Sequence, residues 1–196
     1  MTVRAYRQVA RVEATERTTQ AIVAAAQQLF REEELAELPL DRIAARAGVS
    51  TRTVLRHFGS KEGLMEAAMS DAEARVRASR EAPPGDLEAA IRALVDHYEE
   101  MGDEVVRRLA ASERYPLVRQ ATESGERLHR EWVEAVFAAD LEGLSARRRR
   151  ERLALLATVT DVYTWHLLRR RHGLARAATE TAIRDLARHA REGEPR

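Results

Sequence analysis

Apolar residues recur at three- and four-residue steps along most of this chain, which is the spacing of amphipathic helices. The pattern predicts a first helix over about residues 15–34. Thr15 or Thr18 is expected to cap its start, because a threonine hydroxyl accepts from the unpaired backbone N–H groups there. The apolar stripe of this helix consists of Ile22, Ala25, Ala26, Leu29 and Phe30.

Two short helices are expected next, the first over about residues 40–47 and the second from Ser50 or Thr51 to near Gly59. Gly48 suits the turn between them, because glycine adopts a left-handed conformation without a Cβ clash. Helices this short are marginal alone, so the pattern indicates a packed helix-turn-helix over about residues 39–58. The residues expected to face inward are Leu40, Ile43, Ala44 and Ala47, followed by Val54, Leu55 and Phe58.

A fourth helix, capped by Ser60, is expected to end near Arg80, before the segment EAPPGD. This segment cannot continue a helix, and its Asp86 is suited to cap the next one. We therefore expect a domain of residues 1–76, with an N-terminal arm and the helix-turn-helix, and a larger helical domain of residues 77–196. Further helices are predicted at about 86–101, 103–113, 116–139, 146–172 and 175–191, with breaks at Gly102, Pro116, Gly143 and Gly173.

The predicted helix over residues 146–172 is apolar on two sides. One row contains Leu153, Leu156, Thr160, Tyr163 and Leu167, and the other contains Leu155, Val159, Val162 and His166. One row can face the core of the chain, while the other requires a partner. Together with the small residues of the helix over 175–191, the pattern favours a four-helix homodimer interface. The alternative is a central helix buried within a monomer.

The composition agrees with helices and removes several classes of protein. Of the 196 residues, 44% are hydrophobic and 5% aromatic, with only nine glycines and five prolines, which favours helices over sheets. The absence of cysteine excludes disulfides, thiolate metal sites and cysteine nucleophiles. There is no apolar run of transmembrane length and no secretory signal at the N-terminus, so we expect a cytoplasmic protein without a membrane span.

The formal net charge of +1 conceals an uneven distribution. Residues 1–61 contain 10 basic and 7 acidic side chains, whereas residues 62–196 contain 23 and 25. Within residues 42–61 there are five basic side chains and no acidic one. A basic cluster is the electrostatic footprint of a polyanion-binding protein, although a solvated helix face has the same charge pattern.

The segments TTQAIVAAAQQLF and IAARAGVSTRTVLRHFGSKEGLMEAAM combine the apolar stripe, the glycine turn and the caps at regular intervals. In these features residues 16–70 resemble the DNA-binding domain of TetR-type transcriptional regulators. The resemblance implies an all-α, homodimeric regulator of transcription, by default a repressor. Such a regulator is released from a pseudo-palindromic operator when a small molecule binds its C-terminal domain.

The resemblance implies that the recognition helix, at about residues 51–57, enters the major groove of DNA. Arg52 and Thr53 are the candidates for base contacts, because a guanidinium can bridge O6 and N7 of guanine. The other candidates, which mostly suit phosphates, are Arg42, Arg46, Ser50, Thr51, Arg56, His57 and Lys61. Arg4, Arg7 and Arg11 suit a minor-groove arm, with a disordered tail as the alternative.

Four features depart from the pattern of the family. A glycine is usual soon after the first helix, where this chain has Glu33, Glu34 and Leu35. Pro39 stands where a capping Ser or Thr is usual, and proline supplies no capping oxygen. Arg52 replaces a common glycine and introduces a side chain suited to guanine. Leu55 replaces a common tyrosine and removes one expected hydrogen bond to a phosphate.

The resemblance also implies a small-molecule pocket among the C-terminal helices. The larger amphipathic side chains there are candidates for its lining, and each also suits the core or a subunit interface. They are His97, Tyr98, Met101, Trp132, Phe137, Tyr163 and His166, with Trp165 divided between pocket and interface. Their chemistry favours a mostly apolar or aromatic ligand.

Two other classes of protein compete with this interpretation. A helical-bundle enzyme with a carboxylate metal site needs two Glu-x-x-His pairs, and only Glu126 and His129 have that spacing. A constitutive DNA-binding protein would lack the long C-terminal helical domain. We therefore expect neither catalysis nor a cofactor or metal.

Overall fold

Helices make up the regular structure of this chain. The computed structural model describes residues 3–32 and 38–192, and contains no β-strand within those ranges. The helices are α1 (Val3–Glu32), α2 (Leu40–Arg46), α3 (Thr51–Phe58), α4 (Lys61–Ser79), α5 (Leu87–Ala111), α6 (Pro116–Val136), α7 (Ala138–Leu141), α8 (Ala146–Val159), α9 (Val162–His166) and α10 (Arg176–Glu192), with a π-helical turn at Leu167–Arg171. This confirms the all-α fold class. None of the helices in the described ranges combines the length and apolar character needed to cross a bilayer.

Contacts divide the chain into two units, residues 1–72 and 73–196, and the division falls inside α4. In the first unit, α1 to α3 and the start of α4 share one core. The predicted apolar stripe of α1 faces it, with Ile22 and Leu29 at most 2% exposed. The same core contains Ile43 of α2, Val54 of α3 and Leu64 of α4, which are fully buried. The core around the helix-turn-helix therefore follows the apolar spacing of the sequence.

Helix α1 begins at Val3, twelve residues before its predicted start. The prediction that Thr15 or Thr18 caps it is wrong, because both lie inside the helix and the Thr18 hydroxyl donates to the Ala14 carbonyl at 2.9 Å. No glycine or proline occurs before residue 39, so no helix-breaking residue stands between Val3 and the predicted start at residue 15. The backbone at Arg4, Arg7 and Arg11 is therefore helical, while their side chains lie outside the described part of the chain.

The second unit has its core between α5, α6 and the last three helices. Asp86 caps α5 as predicted, with Oδ1 accepting from the Ala89 N–H at 2.9 Å. The predicted break at Gly102 is wrong, because α5 continues through it to Ala111. The buried residues of this core are Ile91, Leu94, Val95, Tyr98, Val133, Phe137, Leu141, Leu156, Val162, Trp165, Ile183 and Ala187.

The predicted single helix over 146–172 is interrupted at Thr160 and Asp161. The Thr160 hydroxyl donates to the Leu156 carbonyl at 2.6 Å, and Asp161 Oδ1 caps α9 by accepting from the Tyr163 N–H at 2.8 Å. Side chains of this kind compete with backbone hydrogen bonds and end helices. The interruption divides both predicted rows. In the first row Leu156 and Thr160 are buried while Tyr163 and Leu167 are exposed, and in the second Val162 is buried while Leu155 is exposed. Trp165, which belonged to neither row, is buried.

Candidate DNA-binding interface

A glycine turn holds α2 and α3 together. Gly48 has φ 68°, and its N–H donates to the Ala45 carbonyl at 3.2 Å. The Val49 N–H donates to the Ala44 carbonyl at 3.0 Å. These two bonds form a Schellman motif, in which the position after the helix must be left-handed. The predicted role of Gly48 is confirmed, and the motif sets the direction in which α3 leaves α2.

Ser50 caps α3 as expected. Its Oγ accepts from the Thr53 N–H at 3.2 Å and lies 2.9 Å from Thr53 Oγ1. The contact between the two hydroxyls uses one of their two protons, so one O–H remains to donate to DNA. The cap therefore places the hydroxyls of Ser50 and Thr53 at the N-terminus of α3. Thr51, which lies between them in the sequence, is half-buried.

One face of α3 carries two arginines and one leucine. Arg52, Leu55 and Arg56 are all exposed and lie three or four residues apart, which brings them onto one side of a helix. Within the described residues, neither guanidinium has a hydrogen-bond or ion-pair partner. The face combines planar donors with one apolar group, a set suited to guanine edges and thymine methyls.

The prediction that Leu55 faces inward is wrong, since its side chain is 40% exposed. Val54 next to it is fully buried, and neighbouring residues of an α-helix point about 100° apart. Both cannot enter the same core. The family departure at residue 55 thus lies on the solvent face, beside the two arginines.

His57 is tied to α1. Its Nδ1 lies 2.9 Å from the Thr19 hydroxyl, which donates its only proton to the Thr15 carbonyl at 3.0 Å. His57 must therefore donate from Nδ1, and in the neutral ring Nε2 is an acceptor. A phosphate contact from Nε2 consequently requires the protonated imidazolium.

Two further candidates on α2 are exposed, Arg42 and Arg46. Arg46 pairs with Glu32 at the end of α1, with NH2 and Oε2 2.8 Å apart. The hydrogen bond from Arg46 lowers the pKa of Glu32. Exposed pairs of this kind contribute little stability, so a phosphate can compete for the guanidinium.

Lys61 begins α4, directly after a tight junction with α3. Ser60 Oγ accepts from the Gly63 N–H at 3.1 Å, which confirms the predicted cap. A Cβ on Gly63 would overlap the carbonyl oxygen of Phe58, so glycine is required at this close approach. The half-buried Lys61 thereby stays at the first turn of α4.

The candidate ligand residues of the second unit differ in burial and in hydrogen-bond partners. Tyr98 and Phe137 are at most 2% exposed and belong to the core, whereas the Tyr163 side chain is 46% exposed. His97 Nδ1 lies 3.0 Å from Ser79 Oγ, and His166 Nδ1 lies 3.9 Å from Asp103 Oδ1. The half-buried Met101 and Trp132 complete the set.

The second unit contains a groove of about 610 Å³ between the end of α4, the segment 81–86 and α6. Its apolar lining includes Val76, Pro83, Pro84, Leu128 and Val136, and its polar lining consists of Arg77, Arg80, Glu81, Asp86, Glu131 and the indole of Trp132. Trp132 is the one predicted ligand residue on this lining. Spacing along the sequence had offered no signal for Arg80, because its burial depends on α5 and α6.

His129, one member of the Glu126-x-x-His129 pair, is committed to hydrogen bonds. Its Nε2 lies 3.2 Å from the Ala157 carbonyl and 3.2 Å from Thr160 Oγ1. Among residues 3–32 and 38–192, no group of three or more His, Asp or Glu side chains is arranged to hold a metal ion.

Comparisons with known proteins agree with this geometry. Residues 22–68 match the model of the family described as "Bacterial regulatory proteins, tetR family". The fold is similar to that of a transcriptional regulator from Rhodococcus sp. Rha1, with a TM-score of 0.56 over 86% of this chain and 93% of that one. Sequence identity between the two is 20%, so the likeness concerns the fold. No curated protein matches the sequence.

Proposed function

Since its N-terminal helix-turn-helix makes this chain a TetR-family transcriptional regulator, we propose that it is a homodimeric repressor released from its operator by a small molecule. The observation that carries the proposal is the exposed face of α3, where Arg52, Leu55 and Arg56 lie together without partners in the described chain. The function is binding and not catalysis, and its place is the cytoplasm, where bacterial DNA is accessible.

In this proposal α3 lies in the major groove with its N-terminal end nearest the bases. Arg52 reads a guanine through O6 and N7, and the remaining hydroxyl proton of Ser50 and Thr53 is donated nearby. Arg42, Arg46, Thr51, Arg56 and Lys61 bind phosphates and set the register. His57 joins them only in its protonated form, because Nδ1 is held by Thr19.

The proposed dimer uses the C-terminal helices, where large apolar side chains remain exposed on α8, α9, the π-helical turn and α10. A two-fold dimer presents two copies of α3 to successive major grooves, roughly 34–36 Å apart. The operator is then a pseudo-palindrome. Ligand binding in the second unit changes the separation of the two copies and weakens their simultaneous contact.

The test is binding of the full-length protein to a randomised site library, followed by titration of the selected operator at several salt concentrations. We expect Arg52→Ala to relax the preference at one base pair of each half-site, a loss of ~1–3 kcal/mol of discrimination. Arg56→Ala is expected to weaken all sites equally and to reduce the salt dependence. Arg130→Ala, which removes the same charge from exposed α6, is the control.

If Arg52→Ala weakened binding to all sites equally, Arg52 would not be the residue that reads the base. Loss of selectivity altogether, with binding that depends only on charge, would refute a specific operator. Operator binding that no small molecule changes would instead favour the constitutive DNA-binding protein.

A further inference from the structure

Arg80 follows α4 directly and is a buried cation. Only 8% of its surface is exposed, and burial lowers the pKa of its guanidinium. Within the described chain, no carboxylate lies within ion-pair distance of it, and Nε has no hydrogen-bond partner. A buried charge of this kind is costly unless it is paired and hydrogen-bonded.

Tyr98 and Asp161 favour the charged form of Arg80 without forming an ion pair with it: the Tyr98 hydroxyl accepts a hydrogen bond from the guanidinium, and Asp161 attracts it from a greater distance. Its guanidinium carbon lies 5.2 Å from the centre of the Tyr98 ring. The Tyr98 hydroxyl donates to the Thr160 carbonyl at 3.0 Å, so toward Arg80 it can only accept. Asp161 is the acidic group that attracts Arg80, and its Oδ1 is occupied by the cap of α9.

Arg80 also lines the groove described above, opposite the apolar side chains of α6. The indole of Trp132 is fixed there, since its Nε1–H donates to the Arg80 carbonyl at 3.3 Å and its ring stacks on His129 at 5.8 Å. The groove lining therefore combines a flat aromatic surface with Arg80, a cation that has no carboxylate at ion-pair distance within the described residues.

Three carboxylates also line this groove, and none of them pairs with Arg80. Glu131 is neutralised by Arg77, with Oε2 and NH1 2.7 Å apart. Asp86 is held as the cap of α5, and Glu81 is exposed to solvent. Arg80 is therefore a buried cation of the groove lining without a carboxylate at ion-pair distance among the residues that the structure describes.

We propose that the groove binds an amphipathic carboxylate, with its anionic group on Arg80 and its apolar body against Trp132. A guanidinium and a carboxylate form charge-assisted hydrogen bonds, so a bound acid would give Arg80 the counter-charge that the described chain does not place at ion-pair distance. A volume of about 610 Å³ lies within the range of small-molecule sites. This inference rests on the proposed function in one respect, that the bound acid is the molecule that releases DNA.

The test compares acids with neutral amides of the same shape: 2-naphthoate with 2-naphthamide, and octanoate with octanamide. Calorimetry and melting temperatures on the full-length protein are expected to show at least tenfold tighter binding of an acid than of its amide. Arg80→Gln should abolish that preference. Arg77→Gln, on the same groove but exposed and paired with Glu131, should retain it, and the bound acid should release the operator.

Equal binding of acid and amide, or a preference that survives Arg80→Gln, would overturn the inference. So would the absence of binding by all four probes in a protein that still selects its operator, and that result leaves the proposed function intact. If the protein bound the acid but selected no operator, the result would support the carboxylate site and contradict the proposed function as a regulator. If Arg80→Gln does not fold, the acid and amide pairs on the unchanged protein decide, with Arg80→Lys expected to keep part of the preference.

Discussion

The Cα of Gly102 lies directly against the indole ring of Trp165. A Cβ at residue 102 would overlap Cζ3 of the indole and lie 2.8 Å and 2.9 Å from Cη2 and Cε3. Trp165 is fully buried, and its Nε1–H donates to Glu99 Oε1 at 2.9 Å. Gly102 is therefore a point of close approach between α5 and α9, and α5 continues through it to Ala111.

We expect Gly102→Ala to destabilise the protein by roughly 1–3 kcal/mol, because the added methyl overpacks a core that cannot retreat from a buried indole. Thermal or urea unfolding monitored by tryptophan fluorescence measures this loss. Gly125→Ala is the matched control: it lies in α6 with nothing within 4 Å of its Cβ position, and it should stabilise by about 0.5–1 kcal/mol. A neutral or stabilising Gly102→Ala would show that the indole can move.

Leu55 is expected to contact a thymine methyl on the operator. Its exposed side chain lies between two arginines of the recognition helix, and an apolar side chain there gains from burying the C5-methyl. Replacing the contacted thymine by deoxyuridine should weaken binding of the unchanged protein several-fold. The same replacement should have no effect on Leu55→Ala. If each thymine of the half-site can be replaced without loss, Leu55 is a bystander.

Leu167→Glu is expected to shift the proposed dimer toward monomers, because Leu167 is 51% exposed beside other exposed apolar groups of the C-terminal helices. A buried carboxylate without a partner should raise the dissociation constant at least tenfold. Sedimentation equilibrium measures the change, and far-UV circular dichroism verifies that helices remain. Val12→Glu is the control, because Val12 of α1 is an apolar residue exposed to a similar extent, 52%. A Leu167→Glu protein that sediments as the original does would move the interface to another face.

The buried histidines predict a loss of stability in acid. Burial lowers the pKa of His97 to about 3, with Arg80 nearby adding to the effect, and burial lowers the pKa of His129 to about 4. The unfolded chain, with ordinary values near 6.5, binds these protons first. The stabilisation is thus complete above about pH 6.5 and declines as the pH falls toward 4, by up to ~1.4 kcal/mol per pH unit for each group.

Urea unfolding between pH 7 and 5 measures this slope. His129→Gln should make it shallower, while the exposed His172→Gln should leave it unchanged. Stability that is constant over this range would mean that the buried histidines are already hydrated or charged.

The helix-turn-helix and the start of α5 could be predicted from the sequence because their signals act over a few residues. Ser50, Ser60 and Asp86 each bond a backbone N–H three residues ahead, and Gly48 closes a motif within its own turn. Such contacts depend on neighbours along the chain. The apolar stripe of α1 was equally visible, because periodicity records which face is buried.

Several of the errors lie where distant segments meet. Gly102 was expected to break a helix and instead receives Trp165, and Leu55 faces solvent because Val54 already fills the core. Of the predicted ligand residues, Trp132 alone appears in the groove lining, and Arg80 is buried there by the packing of α5 and α6 around it. Local spacing was sufficient for α2 and α3, for the caps at Ser50, Ser60 and Asp86, and for the family of the DNA-binding unit. Which charge is buried, and which face stays exposed, depended on contacts between residues far apart in the chain, because burial is a property of the packed molecule.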